Sequence, residues 1–380
     1  MRFADIRLVI GTRPEAIKLR PVARALKARG VTPRLILTGQ HESLDPCEFG
    51  LDAFPSITLG CPGLEDPHQH VRAVTTAMQP YLREAPDLLV VQGDTSSALG
   101  AALAAFTIGV PVAHVEAGLR THDPMLPWPE EEYRTAIDAH ADLLFAPTEL
   151  AAENLRAEHV PGEIHVTGNT SIDAALEIAS QMEPAKRGLG RPPQILVTCH
   201  RRESWSAGLK SIASAVKDLA STRADLTFVL HPNKFIASKM RSLLEGAPCV
   251  TLIEPCTHEQ LIRRMREADL VLSDSGGIQE EAPGLGVPLL VLREKTERPE
   301  GIASGNAFLV GTNRTRIVAE ARRLLGDPAA LAAMARPAFP FGDGRSGDRI
   351  ATIMIDWLSR MSPDRILPKE SIDLKLPPQS

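Results

Sequence analysis

The stretch LLVVQGDTSSALGAALAAFTIGVPVAHVEAG, residues 88–118, decides the fold class of this chain. It contains two apolar runs, Leu88–Val91 and Val112–Val115, on either side of a helical segment. Continuous rather than alternating apolar strands, joined by helices, are typical of a parallel sheet covered on both faces. An acidic residue follows each run, Asp94 after the first and Glu116 after the second. Because ligands of open α/β sheets bind beyond the carboxyl ends of the strands, both acids are candidates for chemistry.

The same alternation of apolar runs and helical segments recurs along the chain. Further candidate strands are Ile6–Ile10, Leu35–Leu37, Leu143–Phe145 and Ile164–Val166, then Ile195–Thr198, Leu226–Leu230, Val250–Ile253, Leu270–Leu272 and Pro288–Leu292. Between the two sets, the segment 181–193 combines Pro, Gly and charge without periodicity, which is typical of a linker. We therefore predict an α/β protein of two Rossmann-like, doubly wound parallel-sheet domains, residues 1–180 and 194–361, facing a cleft that holds the active site.

The C-terminal region adds helical patterns without a sheet of its own, over residues 316–325 and 349–361. The last helix is a candidate to cross back to the first domain. A polar, proline-containing tail follows over residues 362–380.

Composition restricts the classes of partner. The chain has 380 residues, more than the roughly 250–300 at which single cores usually stop growing, so two cores are expected. A net charge of −5 provides no basic surface able to neutralise many phosphates, which argues against nucleic acid and favours a small ligand.

The five cysteines are scattered and form no C-x-x-C pair, so we expect reduced thiols rather than disulfides or a zinc site. The absence of a long apolar segment predicts a cytoplasmic protein without a membrane partner.

The first strand runs directly into the motif GTRPEAIK, residues 11–18. Gly11 permits a tight turn, and Pro14 suits the first turn of a helix. Arg13 and Lys18 add positive potential to the helix N-terminus, so an anion could bind there. An ordinary strand-to-helix turn with solvated basic residues explains the motif equally well when it is taken alone. The spacing matches neither a dinucleotide fingerprint nor a P-loop.

A second motif, SDSGGIQEE, spans residues 273–281 between an apolar run and a helix. The backbone N–H groups of Ser275, Gly276 and Gly277 could donate hydrogen bonds to a phosphate. About one turn further along, Glu281 could accept hydrogen bonds from two ribose hydroxyl groups. A helix start capped by Ser275 would also explain the serine, but it leaves the paired glycines unexplained.

Polar residues at other strand and helix ends complete the candidate site. His200 follows the first strand after the linker and could contact phosphate or exchange a proton, although a histidine in this position is often structural. Asp94, Glu116, Glu130 and Glu131 could converge and shift one another's pKa values. Taken singly, Asp94 could instead cap a helix, and the two glutamates could be first-turn acids favoured by the helix dipole.

Together these motifs resemble a known family. GTRPEAIK, QGDT at 92–95, HVEAGLRT at 114–121, PWPEE at 127–131, HRRES at 200–204 and DSGGIQEEAP at 274–283 resemble the non-hydrolysing UDP-N-acetylglucosamine 2-epimerases, over the chain up to about Trp357. The resemblance implies the glycosyltransferase-B architecture and the interconversion of UDP-GlcNAc and UDP-ManNAc, which supplies ManNAc-type sugars for cell-surface polysaccharide. It implies anti elimination of UDP to 2-acetamidoglucal and re-addition, with no nicotinamide and no metal. A homodimer is expected.

The resemblance also assigns roles to individual residues. It implies catalytic carboxylates at Asp94, Glu116 and Glu130 and a phosphate contact at His200, and it leaves open which acid serves which face of the sugar. The implied substrate contacts are Arg13, Lys18, Ser275, Gly276, Gly277, Arg298, the ribose carboxylate Glu281, and Cys256 and Leu261 at the two ends of the uracil-binding segment.

The sequence departs from the family pattern in three places. The segment 42–45, ESLD, is one residue shorter than usual in a loop that helps to form a regulatory UDP-GlcNAc site, so allosteric activation is not expected. His231-Pro232-Asn233 replaces H-x-N-P, and Cys199 stands where glycine is common. These changes leave open a related substrate, a diacetamido or uronate sugar nucleotide. Three alternatives are less favoured by the motifs. Hydrolysing epimerases usually differ after GTR, a glycosyltransferase would leave the acidic triplet unexplained, and the intact acids at 94, 116 and 130 argue against a catalytically silent sugar-nucleotide sensor.

Overall fold

The computed structural model describes residues 4–42, 44–183, 191–199, 207–222 and 224–361. The chain divides into two compact units. Unit 1 comprises Met1–Thr170 and Arg345–Ser380, and unit 2 comprises Ser171–Gly344. The predicted linker and tail lie partly or wholly outside the described residues. Within those ranges, no helix is both long enough and apolar enough to cross a membrane.

The described residues of unit 1 form a seven-stranded parallel sheet of order β3-β2-β1-β4-β5-β6-β7. Its strands are β1 (Ile6–Ile10), β2 (Arg34–Leu37), β3 (Ser56–Thr58), β4 (Leu88–Gln92), β5 (Val112–Val115), β6 (Leu143–Ala146) and β7 (Glu163–Val166). Its helices are α1 (Arg13–Ala28), α2 (Pro67–Leu82), α3 (Ser96–Ile108), α4 (Glu130–Asp138) and α5 (Glu149–Ala157), with a 3₁₀ turn at Pro46–Phe49. The strand order reverses between β1 and β4, which is where a doubly wound sheet binds its ligand.

Unit 2 repeats this arrangement with six parallel strands in the order β10-β9-β8-β11-β12-β13 in the described chain. Its strands are β8 (Gln194–Thr198), β9 (Asp225–Val229), β10 (Val250–Ile253), β11 (Leu270–Ser273), β12 (Leu289–Val291) and β13 (Ala307–Leu309). Its helices are α6 (Thr170–Ser180), α7 (Ala207–Ala220), α8 (Lys234–Leu244), α9 (His258–Glu267), α10 (Gly276–Gly284), α11 (Pro299–Ala303), α12 (Arg314–Gly326) and α13 (Pro328–Met334). The predicted fold class is confirmed for both units.

The last helix, α14 (Ser346–Arg360), belongs to unit 1. Its apolar face, which includes Ile350 and Met354, joins the core that α1 forms against one face of the first sheet through Leu19 and Val22. Helices α2 and α3 cover the opposite face with a second buried cluster. Both faces of the sheet are therefore covered, which explains why its central strands have continuous apolar sequences.

Candidate active site

Glu116 directly follows β5 and has an unusual backbone conformation. Its φ is 73°, in the left-handed region that residues with a side chain rarely adopt. The backbone N–H groups of Glu116 and Ala117 both donate to the carbonyl of Phe145 on β6, at 3.0 and 3.1 Å, and hold this conformation. Strained backbone of this kind is concentrated at functional positions, so the geometry singles out Glu116 among the acids of unit 1.

The side chains of Lys18, Gln92 and Asn169 converge on one oxygen of Glu116, Oε2. The Lys18 ammonium forms an ion pair with it, and both side chains are almost fully buried. The amide of Gln92 donates to the same oxygen at 2.9 Å, and that of Asn169 lies at 3.5 Å. The cation favours the ionised carboxylate, and the two amides fix its orientation. The structure thus brings two predicted site residues, Lys18 and Glu116, into direct contact.

Asp94 lies in the loop after β4 and has its own cationic partner. The guanidinium of Arg134, on α4, forms an ion pair with Asp94. The hydroxyl of Thr95, not Asp94, caps α3 by accepting from the N–H of Ala98 at 3.0 Å, so the capping interpretation of Asp94 is wrong. Glu130 is the first residue of α4, one turn before Arg134, and therefore lies near this ion pair along the helix.

Glu131 stabilises the loop that precedes α4. Its Oε1 accepts hydrogen bonds from the backbone N–H groups of Thr121 and His122, each at 2.9 Å. Arg134 lies 3.3 Å from its other oxygen. Glu131 therefore holds the backbone of this loop, a role that neither interpretation of the sequence specified.

A buried polar network lies behind the two acids. Asp138, at the end of α4, accepts from His114 Nδ1 at 2.6 Å and from the N–H of Gly118 at 3.0 Å, and pairs with Arg120 at 2.8 Å. The other ring nitrogen of His114 hydrogen-bonds the carbonyl of Gly93 at 2.8 Å. One fully buried carboxylate thus connects the loop after β4 with the loop after β5.

The motif GTRPEAIK forms the turn into α1. Thr12 and Glu15 form a capping box, and Glu15 also accepts from the N–H of Gly11 at 2.7 Å and the hydroxyl of Thr95 at 2.6 Å. Burial raises the pKa of Glu15, against the lowering effect of these hydrogen bonds. Glu15 therefore ties the turn after β1 to the start of α3. Arg13 lies on the outer side of this turn, half-exposed and 3.8 Å from Glu48.

In unit 2, the paired glycines begin α10. Ser275 occupies the N-cap position, yet within the described chain its hydroxyl makes no capping hydrogen bond. A Cβ on Gly276 would lie 2.9 Å from the guanidinium carbon of Arg298, whereas a Cβ on Gly277 would meet nothing nearer than the Ser275 hydroxyl at 4.0 Å. Gly276 makes room for Arg298, and Gly277 leaves the surface of the helix start open.

Two buried carboxylates hold Arg298 against this helix start. Its Nε donates to Glu280 Oε1 at 2.6 Å, and its NH1 group pairs with Glu297. Glu280 also accepts from the hydroxyl of Ser171 at 3.0 Å, and Glu297 also pairs with Arg293 at 2.8 Å. The position of the Arg298 guanidinium is therefore fixed by side chains on several elements.

Glu281 is almost fully buried on α10 and contacts a histidine that sequence analysis did not single out. His258 Nε2, from the first residue of α9, lies 2.9 Å from Glu281 Oε1. Cys256 and Leu261 flank this histidine and are partly buried. Burial raises the pKa of the Cys256 thiol. The predicted ribose carboxylate and the predicted uracil segment are therefore in contact.

The family model of UDP-N-acetylglucosamine 2-epimerase matches residues 24–355. The chain belongs to this family. The predicted resemblance is thereby confirmed, and with it the enzyme class, an isomerase.

Several similar proteins match most of this chain. The UDP-N-acetylglucosamine 2-epimerase of Salmonella typhimurium is 41% identical over 363 residues, which cover 90% of this chain and 96% of the relative. The Escherichia coli K12 enzyme is 40% identical over 369 residues, with the same coverage. The crystal structure of the Neisseria meningitidis UDP-GlcNAc 2-epimerase bound to UDP-GlcNAc is 35% identical and has a TM-score of 0.84, covering 93% of this chain and all of that one.

Not every candidate residue of this epimerase can be placed. His200 lies outside the described residues. The structure adds Gln92, Asn169, Arg134 and His258, each in contact with a predicted site acid. A sequence signal existed for three of them, because Gln92 lies in QGDT at 92–95, Asn169 lies in the TGNT stretch at 167–170, and Arg134 follows Glu130 by one helical turn.

Proposed function

We propose that this epimerase reversibly converts UDP-N-acetylglucosamine into UDP-N-acetylmannosamine by a non-hydrolysing route. The observation that carries the proposal is the Glu116 site, where a strained loop after β5 presents a carboxylate fixed by Lys18, Gln92 and Asn169. Family membership supplies the substrate class.

The proposed reaction has two stages. A base removes the C2 proton while the bond between C1 and the UDP oxygen breaks, which leaves a C1–C2 double bond in 2-acetamidoglucal and releases UDP. UDP then adds back to C1 as an acid delivers a proton to the other face of C2. Both proton transfers need positioned acid or base groups, and Asp94, Glu116 and Glu130 are the candidates. The ion pair of Glu116 with Lys18 favours an ionised carboxylate, which suits a base, and Asp94 is held by its ion pair with Arg134.

Unit 2 supplies the proposed nucleotide contacts. The N–H of Ser275, predicted as a phosphate donor, instead donates to the Ser273 hydroxyl at 3.0 Å. The N–H groups of Gly276 and Gly277, at the start of α10, and the clamped guanidinium of Arg298 are suited to a diphosphate that gains negative charge as it departs. His200, Arg13 and Lys18 are proposed as further ligand contacts. Glu281 is proposed to bind the ribose, with the uracil against the segment from Cys256 to Leu261.

We further propose that the enzyme is a cytoplasmic homodimer and that it supplies ManNAc-type sugars for cell-surface polysaccharide.

One departure from the family pattern has a local explanation that does not involve the substrate. Asn233 caps α8 by accepting from the N–H of Phe235 at 2.9 Å, and its own N–H donates to His231 at 2.9 Å. The sequence His231-Pro232-Asn233 therefore serves the start of a helix.

The function is tested by incubating the purified protein with UDP-GlcNAc in deuterated water and following the mixture by NMR. We expect UDP-ManNAc with deuterium at C2, because the returning proton comes from a group that exchanges with solvent. Free ManNAc with UDP would indicate the hydrolysing reaction. An unlabelled pool without epimer would contradict the proposal, and parallel reactions with diacetamido and uronate sugar nucleotides would then identify the actual substrate.

Replacing Gly277 with Ala tests the proposed diphosphate contact. A helical glycine in open space should be replaced without strain, so we expect the free energy of unfolding to rise by about 0.5–1 kcal/mol. The added methyl group would separate the N–H groups from the diphosphate, so the affinity for UDP should fall at least about tenfold, or about 1.4 kcal/mol. Calorimetric titration with UDP and thermal unfolding measure the two effects.

Gly326→Ala is the matched control for this experiment. Gly326 ends α12, is exposed, and would also place its Cβ in open space. This variant should gain similar stability and bind UDP like the wild type. Unchanged UDP affinity in Gly277→Ala would show that the start of α10 does not hold the diphosphate.

A further inference from the structure

His258 and Glu281 form a buried pair whose partners come from different helices of unit 2. His258 is the first residue of α9, and Glu281 lies in the second turn of α10. The distance between Nε2 and Oε1 is 2.9 Å, and the side chains are 13% and 5% exposed. An ionised carboxylate only accepts hydrogen bonds, so Nε2 of the histidine carries the proton and donates it. This contact fixes one oxygen of a carboxylate that is almost inaccessible to water.

The histidine is not required to start its own helix. Thr257 and Gln260 form a complete capping box at α9, with the N–H of Gln260 donating to the Thr257 hydroxyl at 3.3 Å and the N–H of Thr257 donating to the Gln260 side chain at 3.0 Å. The side chain of His258 is therefore directed to Glu281 rather than to the helix terminus.

The neighbouring acid shows how the two consecutive glutamates of α10 differ. Glu280 has a full cationic partner in Arg298 and a hydroxyl donor in Ser171, so its charge is neutralised within the protein. Glu281 Oε1 accepts a hydrogen bond from the imidazole of His258. This contact orients the carboxylate and does not involve its other oxygen, Oε2. A carboxylate held in this way is oriented to accept hydrogen bonds from the hydroxyl groups of a ligand.

We propose that His258 is a positioning residue that orients Glu281 to recognise the ribose hydroxyls of the nucleotide. The inference rests on the proposed function, since it assigns a determinant of specificity to the same site. His258 acts through Glu281 and makes the enzyme select ribonucleoside diphosphates over 2′-deoxyribonucleoside diphosphates. Loss of the imidazole N–H lets the carboxylate rotate, so the hydrogen bond to the 2′-hydroxyl is lost while contacts to the diphosphate persist.

The experiment compares the dissociation constants of UDP and 2′-deoxy-UDP for the full-length wild type and for His258→Ala, His258→Phe and His258→Gln. The wild type should prefer UDP at least about tenfold, as expected for a hydrogen bond to a charged group. His258→Ala and His258→Phe should lose most of this preference, although the phenyl ring preserves the packing. His258→Gln should retain it, because the glutamine amide can place an N–H near the position of Nε2. With UDP-GlcNAc as substrate, KM should rise in the Ala and Phe variants while kcat stays within about threefold.

A double-mutant cycle tests whether His258 acts through Glu281. Glu281→Gln should abolish the preference for UDP, and adding His258→Ala in that background should not change the ratio further. The control is Glu267→Ala, at the exposed last position of α9 and outside the proposed uracil segment, which should behave like the wild type. Equal weakening of both nucleotides in His258→Ala and His258→Phe would show a purely structural role and overturn the inference. Wild-type protein that binds neither nucleotide would instead overturn the proposed function.

Discussion

Glu116→Gln should lower turnover of UDP-GlcNAc by about a thousandfold, the middle of the range for loss of a general acid or base. Glutamine keeps the size of the side chain and can still accept from Gln92 and Asn169, but it cannot take up and release the C2 proton. The ligand contacts proposed in unit 2 are unchanged, so the affinity for UDP should stay within about threefold. Steady-state kinetics, deuterium incorporation at C2 and UDP titration measure the three quantities.

The variant also removes the negative charge of Glu116 from beside the buried ammonium of Lys18, so stability must be separated from catalysis. Removing one partner of a buried ion pair costs about 3–5 kcal/mol, whereas removing both partners together costs much less. The double variant Glu116→Gln/Lys18→Met should therefore recover most of the lost stability and none of the turnover. Glu153→Gln, at an exposed position of α5, is the control and should match the wild type. Turnover of Glu116→Gln within about tenfold of the wild type would exclude proton transfer by Glu116.

The sequence predicted strands best where both faces of the sheet are covered. The central strands β1 and β5 have the predicted bounds, Ile6–Ile10 and Val112–Val115, because burial on both sides favours a largely apolar run, here interrupted by Arg7 in β1 and by His114 in β5. The strands β3 and β13 were not predicted. Both lie at sheet edges and have three residues each, and β3 is exposed along its whole length, so neither leaves a distinct apolar pattern.

The residues of the candidate site were likewise predicted only in part. Asp94 and Glu116 could be found because an acidic residue within two positions of the end of a buried strand is visible in the sequence. The partners that orient the acids could not be found by periodicity, which describes one element at a time. Asn169 and Glu116 are 53 residues apart, and His258 and Glu281 are 23 residues apart. Such contacts depend on how separate elements pack.

The buried side chain of Asp138 connects the loops that carry Asp94 and Glu116. Its side chain is fully buried, and its two oxygens engage His114, Gly118 and Arg120. Burial acts to raise the pKa of Asp138, but the neighbouring His114 and Arg120 outweigh it and hold the pKa below its ordinary value. His114 lies between this carboxylate and the Gly93 carbonyl, and each of its ring nitrogens is within hydrogen-bonding distance of one of them.

Asp138→Asn should therefore destabilise unit 1 by about 3–5 kcal/mol at neutral pH, the usual cost of breaking a buried charged network. Asparagine removes a negative charge beside His114 and Arg120, although Arg120 keeps its ion pair with Glu158, and its amide opposes one of the N–H donors. The sign of the pH dependence follows from the lowered pKa. An acid whose pKa is lower in the folded state contributes stability above its unfolded pKa, about 3.9, and loses that contribution as the pH falls through the folded value.

The difference in unfolding free energy between wild type and Asp138→Asn should therefore be constant from neutral pH down to about pH 5 and shrink below about pH 4. Urea unfolding at a series of pH values measures it. Asp356→Asn, at an exposed position of α14, is the matched control and should change stability by less than about 0.5 kcal/mol at every pH. Should the difference stay constant down to the lowest pH at which the protein folds, the ionised carboxylate of Asp138 would not be what stabilises the loops that carry Asp94 and Glu116.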